Sequence, residues 1–262
     1  MADADELMRA GDLDGARAAL IEGLKKSPGD QSVRMFLFQL QCLSGEWDKA
    51  QTHLRTLASL SPEAQMLAVT YNIAIEAERA RADAFAGKVP PSLLVGSSPW
   101  AGDIASALAA DARGAHDEAA KLRETAFESA PDTPGTLDGV EFEWIADGDA
   151  RFGPSLEAII AGRWGLVPFD AIESIKSEGP QDLRDLVWLP VQLAFKSGQS
   201  VNAMLPARYP GSETADDTAI RMARRTDWRD EPWGPAGMGQ HEWSMSAGDD
   251  VGLLSLRRLT FR

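Results

Sequence analysis

The feature that most constrains this chain is a recurring interval of 34 residues. Gly11 and Gly45, Ala16 and Ala50, Leu20 and Leu54, and Pro28 and Pro62 are each 34 apart. Such a period accommodates two antiparallel helices and two turns, the unit of a helical solenoid. A third copy sits at Gly114, Ala119 and Pro131, 69 residues after Gly45, Ala50 and Pro62, so one intervening unit is irregular. Each marker has a physical role. The glycines fall where a first helix ends and the backbone commonly needs φ > 0. The small alanines let helices approach closely, and the prolines stop the second helix by breaking its hydrogen-bond ladder.

Apolar residues recur at helical spacing between these markers: Ala16, Ala19, Leu20 and Leu24, then Ala50, Leu54, Leu57 and Ala58. The spacing predicts a tetratricopeptide-like array over residues 1–130. Within it, residues 64–87 read as one long helix, residues 88–99 as a proline-broken connector, and residues from about 100 to 130 as a closing helix pair. Met35, Phe36, Phe38, Leu40 and Leu43 make the apolar first helix of the second repeat. Most of these must be core; Phe36 and Gln39 are the residues expected to face a groove that receives a partner helix.

After Pro131 the periodicity moves toward two. Val140, Phe142, Trp144 and Ala146 alternate as one strand would. Ala161-Gly162-Arg163 and Lys196-Ser197-Gly198-Gln199 each separate two apolar runs and predict hairpins. Leu253 to Phe261 reads as a last strand pairing with Gln240 to Met245, and Ala215 to Ala223 as the one helical stretch. Residues 131–262 are therefore expected to form a compact, mostly antiparallel β-rich domain holding Trp144, Trp164, Trp188, Trp228, Trp233 and Trp243. The expected class is α+β, a solenoid capped by this domain.

Net charge is −14, and both halves are acidic: 13 basic against 19 acidic side chains in residues 1–130, and 13 against 21 in the remainder. Neither half offers a basic surface for phosphates, so nucleic acid and anionic membrane are not the expected partners. A lone cysteine, Cys42, excludes an internal disulfide and a thiolate metal cage. The acidic N-terminus lacks the pattern of a signal peptide, and no apolar run reaches membrane-spanning length. The expected location is the cytoplasm.

Five segments in order carry a resemblance. They are Trp144 through Asp147, Asp149 and Arg151 to Pro154; Gly162-Arg163-Trp164 with Val167-Pro168-Phe169; Pro180 through Asp182-Leu183-Arg184-Asp185-Leu186 to Trp188; Leu205-Pro206 through Arg208-Tyr209-Pro210-Gly211-Ser212 to Glu213; and Gly237 to Gln240. In these the chain resembles the ImpE/TagJ family, accessory proteins of bacterial type VI secretion that also carry a tetratricopeptide-like N-terminal half. Two departures stand out: Lys196-Ser197 before the hairpin glycine, and His241 where an arginine would be expected. The resemblance implies a cytoplasmic accessory protein that contacts the small subunit of the contractile sheath. Through it, the family links to the ATPase that recycles contracted sheath.

Two constellations are candidates for chemistry. Arg208, Tyr209 and Glu213 lie on a proline-glycine turn and either meet a ligand or partner, or pair within the fold. Asp147, Asp149 and Arg151 form a second polar cluster, suited to a cation or to setting turn geometry. Asp182, Arg184 and Asp185 read as a charged turn before a strand, and His53, His116 and His241 are scattered. No nucleophile elbow, phosphate loop or dinucleotide fingerprint occurs, so no cofactor, metal or catalytic residue is expected. The leading expectation is a non-catalytic adaptor. The alternatives are an enzyme or small-ligand sensor built on Asp147, Asp149, Arg151, Arg208 and Glu213, and a generic tetratricopeptide adaptor or chaperone.

Overall fold

The computed structural model describes residues 2–96, 98–231 and 234–262. Ser97 of the connector and Trp233 of the tryptophan set lie outside the described residues. Seven helices come first: α1 (Ala2–Arg9), α2 (Leu13–Lys26), α3 (Gln31–Leu43), α4 (Trp47–Leu60), α5 (Glu63–Phe85), α6 (Pro99–Ala112) and α7 (His116–Ser129). The repeat markers behave as their chemistry requires. Gly11, Gly45 and Gly114 take φ of 84°, 66° and 79°, and Ala16, Ala50 and Ala119 are fully buried. Asp12 and Asp30 cap α2 and α3 by accepting from the Gly15 and Val33 amides.

The chain then forms β1 (Gly135–Leu137), β2 (Val140–Phe142), β3 (Ile145–Asp147), β4 (Ser155–Ile160), β5 (Arg163–Pro168), β6 (Ile172–Lys176), β7 (Trp188–Phe195) and β8 (Ser200–Pro206). There follow a short helix α8 (Thr218–Arg221), then β9 (Thr226–Glu231), β10 (Gly234–Gly239), β11 (Glu242–Met245), β12 (Val251–Gly252) and β13 (Arg258–Phe261). Eight of these strands make one antiparallel sheet in the order β2-β1-β13-β6-β7-β8-β4-β5. Both predicted hairpins form. The turn between β4 and β5 is the pair Ala161-Gly162, at φ of 49° and 78°, the primed geometry that matches strand twist.

Two strand expectations are corrected. Residues 253–255 form a single 3-10 turn, and the last strand, β13, pairs with β1 and β6. The 240–245 segment instead supplies β11, which pairs with β12 and β3. The alternation from Val140 to Ala146 is also not one strand. Phe142 and Ile145 are buried while Trp144 is 44% exposed, because the chain breaks phase at Glu143-Trp144 and passes from the large sheet into the small one.

The β-rich half lies along the flank of the array, and two buried clusters cross between them, one of which joins Trp100, Ile104 and Ala126 of α6 and α7 to Phe152, Leu166 and Tyr209. Ile159, Trp164, Val187, Trp188 and Met222 pack into the cluster formed by α1–α5. The Trp188 ring lies tilted at 5.8 Å, centroid to centroid, from both Trp47 and Tyr71, and Phe85 of α5 lies 5.7 Å from Trp164. The connector before α6 covers the sheet's β5 edge: the Leu94 amide donates to the Leu166 carbonyl at 3.0 Å, and the Leu166 amide to Ser92 at 2.8 Å. The 208–213 loop packs on the repeat turn, where a Cβ on Gly45 would stand 2.7 Å from Glu213 Cγ.

Candidate functional site

Two features stand out at the junction of the halves: a buried ionic network and an open groove. The network starts on α5, where Glu78 and Arg81 occupy successive turns among buried alanines. Arg81 reaches across to β4 and donates from Nε and Nη2 to both oxygens of Glu157, at 2.7 and 2.6 Å. This is a bidentate pair between residues 76 apart in sequence. Glu157 also accepts from Trp164 Nε1 at 2.7 Å and lies 3.0 Å from His241 Nε2. The other His241 nitrogen, Nδ1, is 2.8 Å from Asp147 Oδ2, and Asp147 Oδ1 accepts from the Tyr209 hydroxyl at 2.8 Å. Glu78 accepts from Trp188 Nε1 at 3.0 Å.

The electrostatics follow from this geometry. Burial alone would raise Glu157, but Arg81 and then His241 outweigh it and bring the carboxyl down to about 2. Burial opposes charge on His241 too, yet Asp147 and Glu157 lift the imidazole to about 9. With a carboxylate at each ring nitrogen, the imidazole donates from both and is an imidazolium. Burial pushes Glu78 and Asp147 up, against the pull of Arg81 and His241 respectively.

The predicted polar residues do meet, but inside the molecule. Asp149 is fully buried, accepting from the Arg151 guanidinium and from the Gly237 amide at 2.8 Å. Tyr209 is fully buried, and Arg208 is 5% exposed. Arg208 Nη1 donates to the carbonyls of Leu43 on α3, at 2.8 Å, and Arg221 on α8, at 2.6 Å. These two residues therefore correct the expectation of a partner-facing loop, since their polar atoms are spent on the fold. Glu213 is half-buried against Gly45. The space beside Asp147, Glu157 and His241 is a cavity of about 10 Å3, room for one water and no substrate. Among the described residues, no group of three or more His, Cys, Asp or Glu is placed to hold a metal ion.

Sequence reasoning missed Glu78, Arg81, Glu157 and the role of His241. One signal was available. Glu157 interrupts the apolar run from Leu156 to Ile160, and a carboxylate inside such a strand requires a buried partner.

The groove has a volume of about 810 Å3, and a second one of about 680 Å3 opens on the same junction between α5 and strands β4, β7 and β8. Met35, Phe36 and Gln39 of α3 and Ala64 and Leu67 of α5 line it on one side. Pro180, Leu183 and Leu186 of the β-rich half close the other. That wall is held rigidly. Asp182 and Asp185 form a capping box around the 3-10 turn Leu183–Leu186, and the Arg184 guanidinium lies 4.7 Å from the Tyr71 ring centroid. Phe36 and Gln39 thus sit on the groove, with Phe36 only 9% exposed.

Residues 7–70 match the tetratricopeptide repeat and residues 139–260 match the family described as ImpE protein. A curated protein of Pseudomonas aeruginosa, type VI secretion system accessory component TagJ, is 40% identical over 98% of this chain and 90% of its own length. The chain belongs to the ImpE/TagJ family. A crystal structure of protein VPA1032 from Vibrio parahaemolyticus shares the fold of this ImpE/TagJ chain at a TM-score of 0.87. That match covers 99% of this chain and 97% of the other, at 23% identity. As in the repeat and the ImpE matches, the array and the β-rich region occupy successive parts of the ImpE/TagJ chain. No helix among its described residues is long and apolar enough to cross a membrane.

Proposed function

We propose that this protein is a non-catalytic adaptor of the type VI secretion machine, working in the cytoplasm. It binds the small subunit of the contractile sheath and links it to the ATPase that recycles contracted sheath. Residues 1–130 act as the repeat domain and residues 131–262 as the β-rich domain. The observation that carries this reading is the groove at their junction, lined by both halves, in a chain 40% identical to a type VI accessory component. An apolar groove of this size suits a helical segment of a partner, read through side chains one turn apart. The adaptor role is also supported by the polar cluster. Its carboxylates and cations satisfy one another around a one-water cavity, leaving no group free to meet a substrate.

The test is a pull-down and titration with purified sheath subunit and ATPase. Both are expected to bind the full chain, and Leu186→Asp, placed in the groove wall, should weaken sheath binding about tenfold or more. Binding of neither above background would refute the proposal.

A further inference from the structure

We infer that a second copy of this chain pairs with the open edge of β9, joining two β9–β10 hairpins into one four-stranded antiparallel sheet about a two-fold axis. The inference goes beyond the adaptor reading and does not depend on it. β9 and β10 form a two-stranded sheet, with Asp230 opposite Pro235, Trp228 opposite Gly237 and Thr226 opposite Gly239. These three residues of β10 bond away from β9. The Pro235 carbonyl accepts from the Ala150 amide, and the Gly237 amide donates to Asp149. Gly239 donates to the Ser212 hydroxyl and accepts from the Tyr209 amide. Antiparallel pairing alternates, so Asp230, Trp228 and Thr226 turn their own amides and carbonyls away from β10. Among the described residues no hydrogen bond reaches those outward groups, and residues 227–230 are exposed. This is an unpaired strand edge, a template for another strand.

Charge selects the occupant. Arg225, Asp227, Arg229 and Glu231 take alternate positions, so they share one face of this edge with alternating sign. Let the strand meet its own copy antiparallel, with Trp228 opposite Trp228. Asp227 then falls opposite Arg229 and Arg225 opposite Glu231, so every opposed pair on that face is of unlike sign. These are the positions without ladder bonds, where opposed side chains come closest. Sliding by two residues one way opposes Arg229 to itself and Asp227 to Glu231. Sliding the other way opposes Asp227 to itself and Arg225 to Arg229, so like charges meet in both cases. A slide of one residue sets outward backbone groups against inward ones and loses the ladder. Arg225 is half-exposed and bonds Asp227 and Asp217 within the chain, at 2.7 and 3.1 Å. Arg229 and Glu231 form no ion pair among the described residues. A net charge of −14 on each copy opposes approach, but about 0.15 M salt screens it beyond about 8 Å.

The experiment is sedimentation velocity on the full chain at rising concentration in physiological salt. An interface of one strand per copy belongs to the small, weak class, so association at roughly micromolar protein or above is expected. The mass should climb from the 28.3 kDa of one chain toward twice that. Asp227→Arg and Arg229→Asp each oppose like charges across the two-fold axis, and each should weaken self-association roughly tenfold. Mixed in equal amounts, the two variants oppose unlike charges again and should form a heterodimer. Asp230→Pro removes an outward amide while sparing the bonds to β10, and should also weaken association.

An unchanged melting temperature verifies the fold of each variant, and where a charge variant melts early, Asp230→Pro decides alone. A chain that stays monomeric at every concentration would overturn the inference. So would a dimer indifferent to these substitutions, or charge variants that each self-associate as readily as they combine.

Discussion

Replacing Arg81 with methionine tests whether the buried network holds the halves together. The substitution keeps most of the side-chain volume and removes the guanidinium that donates to Glu157, Glu78 and the Arg208 carbonyl. Glu157 is then left to share the His241 imidazolium with Asp147, and Glu78 keeps only the Trp188 indole N–H. Breaking one partner of a buried ion pair costs roughly 3–5 kcal/mol. For a chain of this size that corresponds to a fall in melting temperature of roughly 6–20 °C.

The pH dependence gives a sharper signature. In the native protein Arg81 and His241 hold the Glu157 carboxyl down at about 2, below its ordinary 4.5. Its contribution is therefore present above 4.5 and lost as pH falls toward 2. Without Arg81, burial outweighs the remaining partners and the folded-state carboxyls rise above their unfolded values. Their contribution then grows as pH falls, the opposite sign. Calorimetry of both proteins from acid to neutral pH reads this directly. A melting temperature within about 2 °C of the native one, or parallel pH profiles, would refute the account of Arg81 as the partner that keeps Glu157 ionised. Adding Glu157→Gln to Arg81→Met should recover part of the loss, since position 157 is then neutral and only Glu78 is left without its guanidinium.

His241 gives the complementary prediction at the alkaline end. Its folded value of about 9 lies above the usual 6.5, so its contribution is full below pH 6.5 and is lost as pH rises through 9. The loss is roughly 3 kcal/mol at 1.36 kcal/mol per unit, and His241→Gln should flatten that limb of a denaturation profile. Gly237 is packed by the Tyr209 ring, where a Cβ would stand 2.2 Å from Cδ2. Gly237→Ala should cost about 1–3 kcal/mol by overpacking, measured by urea unfolding, while Gly198→Ala, which meets nothing within 4 Å, should cost about 1–2 kcal/mol from its φ of 86° alone.

The array and the hairpins were legible because their signals are local. The markers from Gly11 to Pro62 act within one helix pair, and Ala161-Gly162 and Gly198 act within one turn. The same is true of the long α5, whose alanine-rich composition favours helix throughout. The strand partners of β13 were not legible. Leu259 can pair with any apolar strand of matching phase, and its neighbours Leu137 and Ile175 are far away in sequence. A further turn carried an unused local cue: Asp138-Gly139, at φ of 47° and 93°, makes the primed turn of the β1–β2 hairpin.

The sequence by itself determined a helical repeat scaffold followed by antiparallel strands, since periodicity and turn chemistry specify each element from residues a few positions apart. Only the tertiary structure decided what the polar residues do. Arg208, Tyr209, Asp147 and Asp149 have the composition of a ligand site, yet folding turns them inward against Leu43, His241 and Gly237. Whether a charge faces water or a buried counter-charge depends on segments brought together from opposite ends of the chain. The groove is decided in the same way: Phe36 and Gln39 supply one wall, and it becomes a groove when Leu183 and Leu186 arrive from the other half.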